Sequence, residues 1–158
     1  MPVIASKETI AAYEKYGVLT ARELESRRDI ALEQYCKSVI VEANLVVEMV
    51  NTKYLPAALR YQTDLANNVA ALKAAGVTAD TALLEKVSGL VASLQAELAK
   101  LVKIRGHHVD GLLAEATHFK DHVLPQMLVV RGVVDTLEGV VADDYWPVPT
   151  YEEMLFCK

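Results

Sequence analysis

From Thr20 to Gly76 the chain offers no strong helix stop except Pro56, while its apolar residues recur in steps of three and four. The row Leu32, Cys36, Val39, Ala43, Val46, Val50 continues as Tyr54, Ala57, Tyr61, Leu65, Val69, Leu72. Steps of this kind place side chains on one face of an α-helix, whereas a strand would alternate every second residue. A second stripe, Leu83, Val87, Leu90, Leu94, Leu98, Leu101, completes about five turns at 3.6 residues each, which predicts a nearly straight helix. From Ala79 to Ile104 it would run roughly 39 Å. A third stripe carries Leu112, Ala116, Phe119, Val123, Met127, Val130, Val134, Leu137 and Val141, predicting a helix from about Asp110 to Ala142. Only 7 Gly and 5 Pro interrupt 158 residues of which 53% are hydrophobic, so the chain is poor in turns and rich in helix formers. The expected fold is all-α: an elongated antiparallel bundle of long helices, with short connections around Gly76 and Gly106 and an extended Pro-rich C-terminal tail.

Local signals give the boundaries. Ser6 is placed to cap a short helix ending at Tyr16, with Gly17 as its left-handed stop, and Thr20 with Glu23 forms a capping box. Pro56 is expected to kink or break the run just before it. Thr78 or Asp80 caps the next helix, and Gly106 ends or kinks it. Leu55-Pro56-Ala57-Ala58-Leu59 echoes Leu124-Pro125-Gln126-Met127-Leu128, either a repeated bend in two long helices or chance. The organisation read from these marks is one domain: residues 1–19 a short helix and lead-in, 20–142 the long-helix bundle, 143–158 a Trp-Pro tail with a short terminal helix.

Several function classes drop out. A net charge of -5 with scattered Lys and Arg lacks the basic footprint that nucleic acid requires. Arg131, Asp135 and Glu138 interrupt the most apolar region, leaving no run of the about 20 residues a membrane span needs. The first residues lack the pattern of a signal peptide, and Cys36 and Cys157 are too few and too far apart for a disulfide framework or a zinc site, so the expected compartment is the cytoplasm. Cys36, inside an apolar stripe, reads as a small core residue. No Gly-rich phosphate loop, Gly-x-Ser-x-Gly elbow or Cys-His nucleophile occurs. Asp143-Asp144 reads as a helix end, and the tyrosines, at helical spacing, as packing residues.

One constellation suits a metal. Glu115, His118 and His122, spaced by three and four, share a helical face. A di-iron bundle would need a second Glu-x-x-His on another helix, and the remaining His107 and His108 fall in a loop. The simpler reading is a solvated polar face beside the buried stripe.

The tail is the other candidate. The prolines of Trp146-Pro147-Val148-Pro149 stop the preceding helix and hold the segment extended, and Thr150 with Glu153 starts a last turn. Trp146, Tyr151, Leu155 and Phe156 are the expected interaction residues. They present more apolar area than a loose terminus leaves in water, so the tail should either plug its own bundle or dock onto another domain or subunit.

Trp146-Pro-Val-Pro-Thr-Tyr-Glu-Glu-Met-Leu-Phe156 resembles the C-terminus of type III glutamine synthetases. Val18-Leu-Thr-Ala-Arg-Glu-Leu-Glu-Ser-Arg27, Tyr54-Leu-Pro-Ala57 with Tyr61, and Val123-Leu-Pro-Gln-Met127 resemble further landmarks of that C-terminal region, in the same order, and together they cover essentially the whole chain; the loop from Gly106 to Gly111 has no match. The resemblance implies the helical part that follows a catalytic domain, with Met1-Pro2-Val3-Ile4 reading as a start cut into a longer chain. The parent enzymes condense glutamate and ammonia in nitrogen assimilation, using ATP and divalent Mg or Mn, and assemble as homo-oligomeric double rings of six subunits each. None of the family's catalytic motifs is present, so the resemblance assigns no catalytic residue and no cofactor site to this chain. Its implied partners are the catalytic domain or other subunits of the parent enzyme, with the chain acting in assembly or bracing. The rival readings are an independent helical adaptor that binds a partner through its tail, and a metal-binding bundle.

Overall fold

Helices account for all regular structure in the computed structural model, which describes residues 2–155; no strand occurs among them. A single turn of 3₁₀ helix, Pro2–Ala5, leads into α1, Lys7–Lys15. Ser6 caps α1 as expected, its hydroxyl accepting from the Thr9 amide at 3.2 Å. Gly17, at φ 61°, closes it: the Val18 amide reaches back to the Tyr13 carbonyl and the Gly17 amide to Glu14. This Schellman arrangement needs a left-handed residue, which glycine adopts without a Cβ penalty. Gly76, at φ 76°, repeats it at the end of the helix Leu55–Ala74, α3, with Val77 bonded to Leu72 and Gly76 to Lys73.

The capping box at Thr20 forms. Its amide donates to Glu23 Oε2 at 2.8 Å and the Glu23 amide donates to Thr20 Oγ1 at 3.4 Å, opening α2, Ala21–Met49. These bonds from the Thr20 backbone and hydroxyl hold the Glu23 carboxyl below its ordinary value. A carboxyl depressed in the folded state adds stability that is present above its unfolded value and lost as pH falls through the folded one. Thr20→Ala is therefore expected to lower the melting temperature by a few degrees near neutral pH, with the difference from wild type shrinking on acidification through the carboxylate range. Melts recorded by circular dichroism across pH check this; a pH-independent difference contradicts it.

Pro56 does not break the run. Five residues of π-helix, Val50–Tyr54, sit directly before it, with the Leu55 amide bonded to the carbonyl five residues back at Val50, and α3 continues as Leu55–Ala74. Pro125 is met in the same way: π-helix Phe119–Val123, the Leu124 amide bonded to Phe119, then α6, Leu124–Glu138. A proline has no N–H and its ring collides with the carbonyl four residues back. Widening the preceding turn by one residue accommodates both defects without ending the helix. The echo between Leu55-Pro56 and Leu124-Pro125 is thus a repeated local structure.

Between them lies α4, Ala82–Arg105. Its cap is neither Thr78 nor Asp80 alone: the helix opens at Thr81, whose carbonyl takes the Glu85 amide, while Asp80 Oδ1 accepts from the Ala82 amide at 2.9 Å. The expected stripe holds at Val87, Leu94, Leu98 and Leu101 and departs from the buried face at Leu83 and Leu90. Val87, Val91, Leu94, Leu98 and Leu101 are buried, whereas Leu83 is 42% exposed and Leu90 only half-buried. The helix expected from Asp110 to Ala142 is shorter: α5 spans Leu112–His118 and α6 ends at Glu138.

The chain groups into two units. One comprises residues 1–44 and 104–125, and its buried side chains are Leu24, Leu32, Cys36, Val39 and Ala43 of α2 with Ala116, Phe119 and Val123. The other comprises 45–103 and 126–158, and its buried side chains are the α4 residues above with Val50, Ala57, Ala58, Val130, Val134, Leu137, Val141 and Trp146. In this second unit Gln62 donates to Ser88 at 2.8 Å and Gln126 to Glu97 at 2.8 Å, tying α3 and α6 to α4. No polar or charged residue is buried among the described residues.

Candidate functional site

The first unit holds Glu115, His118 and His122, and the structure does not leave them as a plain solvated face. His118 is half-buried, its Nε2–H donating to the Ile104 carbonyl at 3.0 Å. Its ring lies between two others, with centroids 5.3 Å from His107 and 5.1 Å from His122. His107 comes from the loop after α4, and no sequence signal linked it to His118. The turn from Phe119 to Val123 is π-helical, so the α-helical spacing assumed between His118 and His122 does not hold there. Among the described residues no group of three or more His, Cys, Asp or Glu side chains is arranged to hold a metal ion.

Beside this cluster runs a groove of about 380 Å³. Cys36, Ile40, Leu112 and Phe119 give it apolar walls; Arg105 and Glu115 face it with charge. Burial, and after it the Glu115 carboxylate, pushes the Cys36 thiol above its ordinary value, which suits an inert core cysteine. Arg105 Nη1 donates to Asn44 Oδ1 at 2.7 Å. The sequence reading selected Glu115 but missed Arg105, which lies ten positions earlier on a different helix.

In the second unit the tail is anchored at its start. A 3₁₀ turn, Asp143–Tyr145, leads to Trp146 in extended backbone. Trp146 is 8% exposed and its ring packs at 5.3 Å, tilted, on Tyr54. Tyr145 meets Tyr61 edge-on at 5.5 Å, and its hydroxyl donates a short hydrogen bond to Asp64, which holds the phenol above its ordinary value. The Trp146 indole nitrogen is buried without a hydrogen-bond partner among the described residues. Val148, Pro149 and Met154 then border an apolar cavity of about 270 Å³ whose other walls include Val50, Tyr54 and Val130.

The expected second capping box is present, the Thr150 amide donating to Glu153 Oε2 at 2.8 Å and the Glu153 amide to Thr150 Oγ1 at 3.3 Å. It opens α7, Tyr151–Leu155. There Leu155, 79% exposed, turns outward, while Met154, 56% exposed, divides its surface between solvent and the cavity. Of the four expected interaction residues, then, Trp146 is buried in its own unit, Leu155 faces out, Tyr151 begins α7, and Phe156 lies outside the described residues. No helix among the described residues is long and apolar enough to cross a membrane.

Comparison with known proteins gives a consistent picture. Residues 1–73 match the family model of the glutamine synthetase C-terminal domain. A type-3 glutamine synthetase of Dictyostelium discoideum is 32% identical over 167 residues, covering 98% of this chain and 22% of that protein. A glutamine synthetase of Butyrivibrio fibrisolvens is 28% identical, covering 99% of the chain and 23% of that protein. One from Bacteroides fragilis is 25% identical, with 89% and 21% covered. The chain therefore spans about a fifth of the length of these curated relatives.

Proposed function

We propose that the chain, whose residues 1–73 match the glutamine synthetase C-terminal domain and which is 32% identical to part of a type-3 glutamine synthetase, is a non-catalytic helical module of such an enzyme that serves subunit assembly or braces the catalytic domain. On this reading, glutamate–ammonia ligation with ATP and divalent Mg or Mn takes place on the catalytic region of a cytoplasmic homo-oligomer, and this chain supplies no cofactor ligand. The observation that carries the reading is the division within the tail. Trp146 is buried against its own unit, while Met154 and Leu155, a few residues later, present apolar surface on a capped helical turn. An anchored segment that ends in exposed apolar side chains has the form of a dock, because the anchor removes much of the entropy cost of placing the exposed end against a partner.

The test pairs the chain with the catalytic region of a type III glutamine synthetase in analytical ultracentrifugation. Wild type is expected to co-sediment, and Met154→Asp with Leu155→Asp to abolish this while leaving the circular dichroism of the chain unchanged. Failure of wild type to associate, or association indifferent to both substitutions, overturns the proposal.

A further inference from the structure

The groove of the first unit carries two opposite charges that the chain leaves unmatched. Arg105 reaches only the neutral amide of Asn44, at 2.7 Å, and meets no carboxylate within ion-pair distance among the described residues. The carboxylate of Glu115, a half-buried residue, has neither a hydrogen bond nor an ion pair among them, although its charge is felt at the Cys36 thiol. Of the other groups that line the groove, Lys37 pairs with Glu33 at 2.6 Å, and His108 lies 3.7 Å from Asp110 outside it. What remains, besides the His107 ring that packs on His118, is one guanidinium and one carboxylate, not paired with each other, above apolar walls of Ile40, Leu112 and Phe119.

This balance selects a ligand class. A polyanion would find no excess of positive charge, and a simple amine would leave Arg105 without a counter-charge. A molecule that carries both an anion and a cation satisfies both, through charge-assisted hydrogen bonds strengthened by partial burial. We propose that the groove binds a free α-amino acid with an aliphatic side chain, its carboxylate held by Arg105, its ammonium by Glu115 and its side chain against Ile40, Leu112 and Phe119. The volume, about 380 Å³, lies within the range of small-ligand sites. This site is independent of the tail and of its proposed docking role.

The experiment is isothermal titration of the full 158-residue chain with L-leucine, N-acetyl-L-leucine and L-leucinamide. Leucine is expected to bind saturably at one site. The acetylated form, without an ammonium, and the amide, without a carboxylate, are each expected to bind about tenfold more weakly or worse. Glu115→Gln should erase the penalty of acetylation and Arg105→Gln that of amidation, with circular dichroism confirming that each variant is folded. No binding of leucine, equal binding of all three compounds, or folded variants with unchanged discrimination overturns the proposal. Should either variant fail to fold, the three ligands on wild type still decide it.

Discussion

Trp146→Ala is expected to lower stability by about 3 to 5 kcal/mol, the range for removing a large buried aromatic. The ring is 8% exposed and packs on Tyr54, while its neighbour Tyr145 is held by Asp64 and Tyr61, so the substitution empties a site whose walls are fixed from several sides. The indole N–H, buried without a partner among the described residues, works against the ring's contribution. Trp146→Phe, which deletes that donor and keeps an aromatic ring, is expected to recover more than half of the loss. Leu155→Ala, at a side chain 79% exposed, should change stability by less than about 0.5 kcal/mol. Urea denaturation of the three variants checks the set. Equal effects at Trp146 and Leu155 would show that the tail is not anchored where the structure places it.

A loss of about 2 to 5 kcal/mol is likewise expected for Leu94→Ala. Leu94 is fully buried in the middle of α4, with Val91 and Leu98 on either side along the same face, and an alanine there leaves a cavity that a helix backbone cannot close. Leu83→Ala is the control that reads out where the expected stripe leaves the buried face. The stripe drawn from the sequence gives Leu83 and Leu94 the same standing, but Leu83 is 42% exposed, so its truncation should cost well under half as much. Similar losses at both positions, measured by the same denaturation, would show Leu83 to be as buried as the sequence-based stripe places it and refute its observed exposure.

Helix identity and most helix ends were legible in the sequence. Ser6, Thr20, Thr150 and Gly17 each act where their residue type suggested, because a cap is settled between groups only a few positions apart. The prolines were legible as perturbations, and since a proline's conflict is with its own preceding turn, both were resolved locally by the same π-helical turn. Packing was not legible to the same depth. The apolar rows marked a face, but the choice of Val91 over Leu83 depended on what lies opposite α4, which no period contains.

The candidate sites show the same division more sharply. The sequence determined that Trp146 and Leu155 are apolar and belong to one Pro-bounded tail; only tertiary structure buried the first and exposed the second. It offered Glu115, His118 and His122 by spacing along one helix, and the fold then placed His107 beside His118, turned the His118 ring to the Ile104 carbonyl and brought Arg105 to the groove that Glu115 faces. Tyr145 found Asp64, 81 positions away. Caps, periods and proline turns follow from bonds that close within one or two helical turns, so the chain carries them wherever it is folded. Partnerships between helices depend on how side-chain surfaces of many residues fit together, and that fit exists only once the helices are packed.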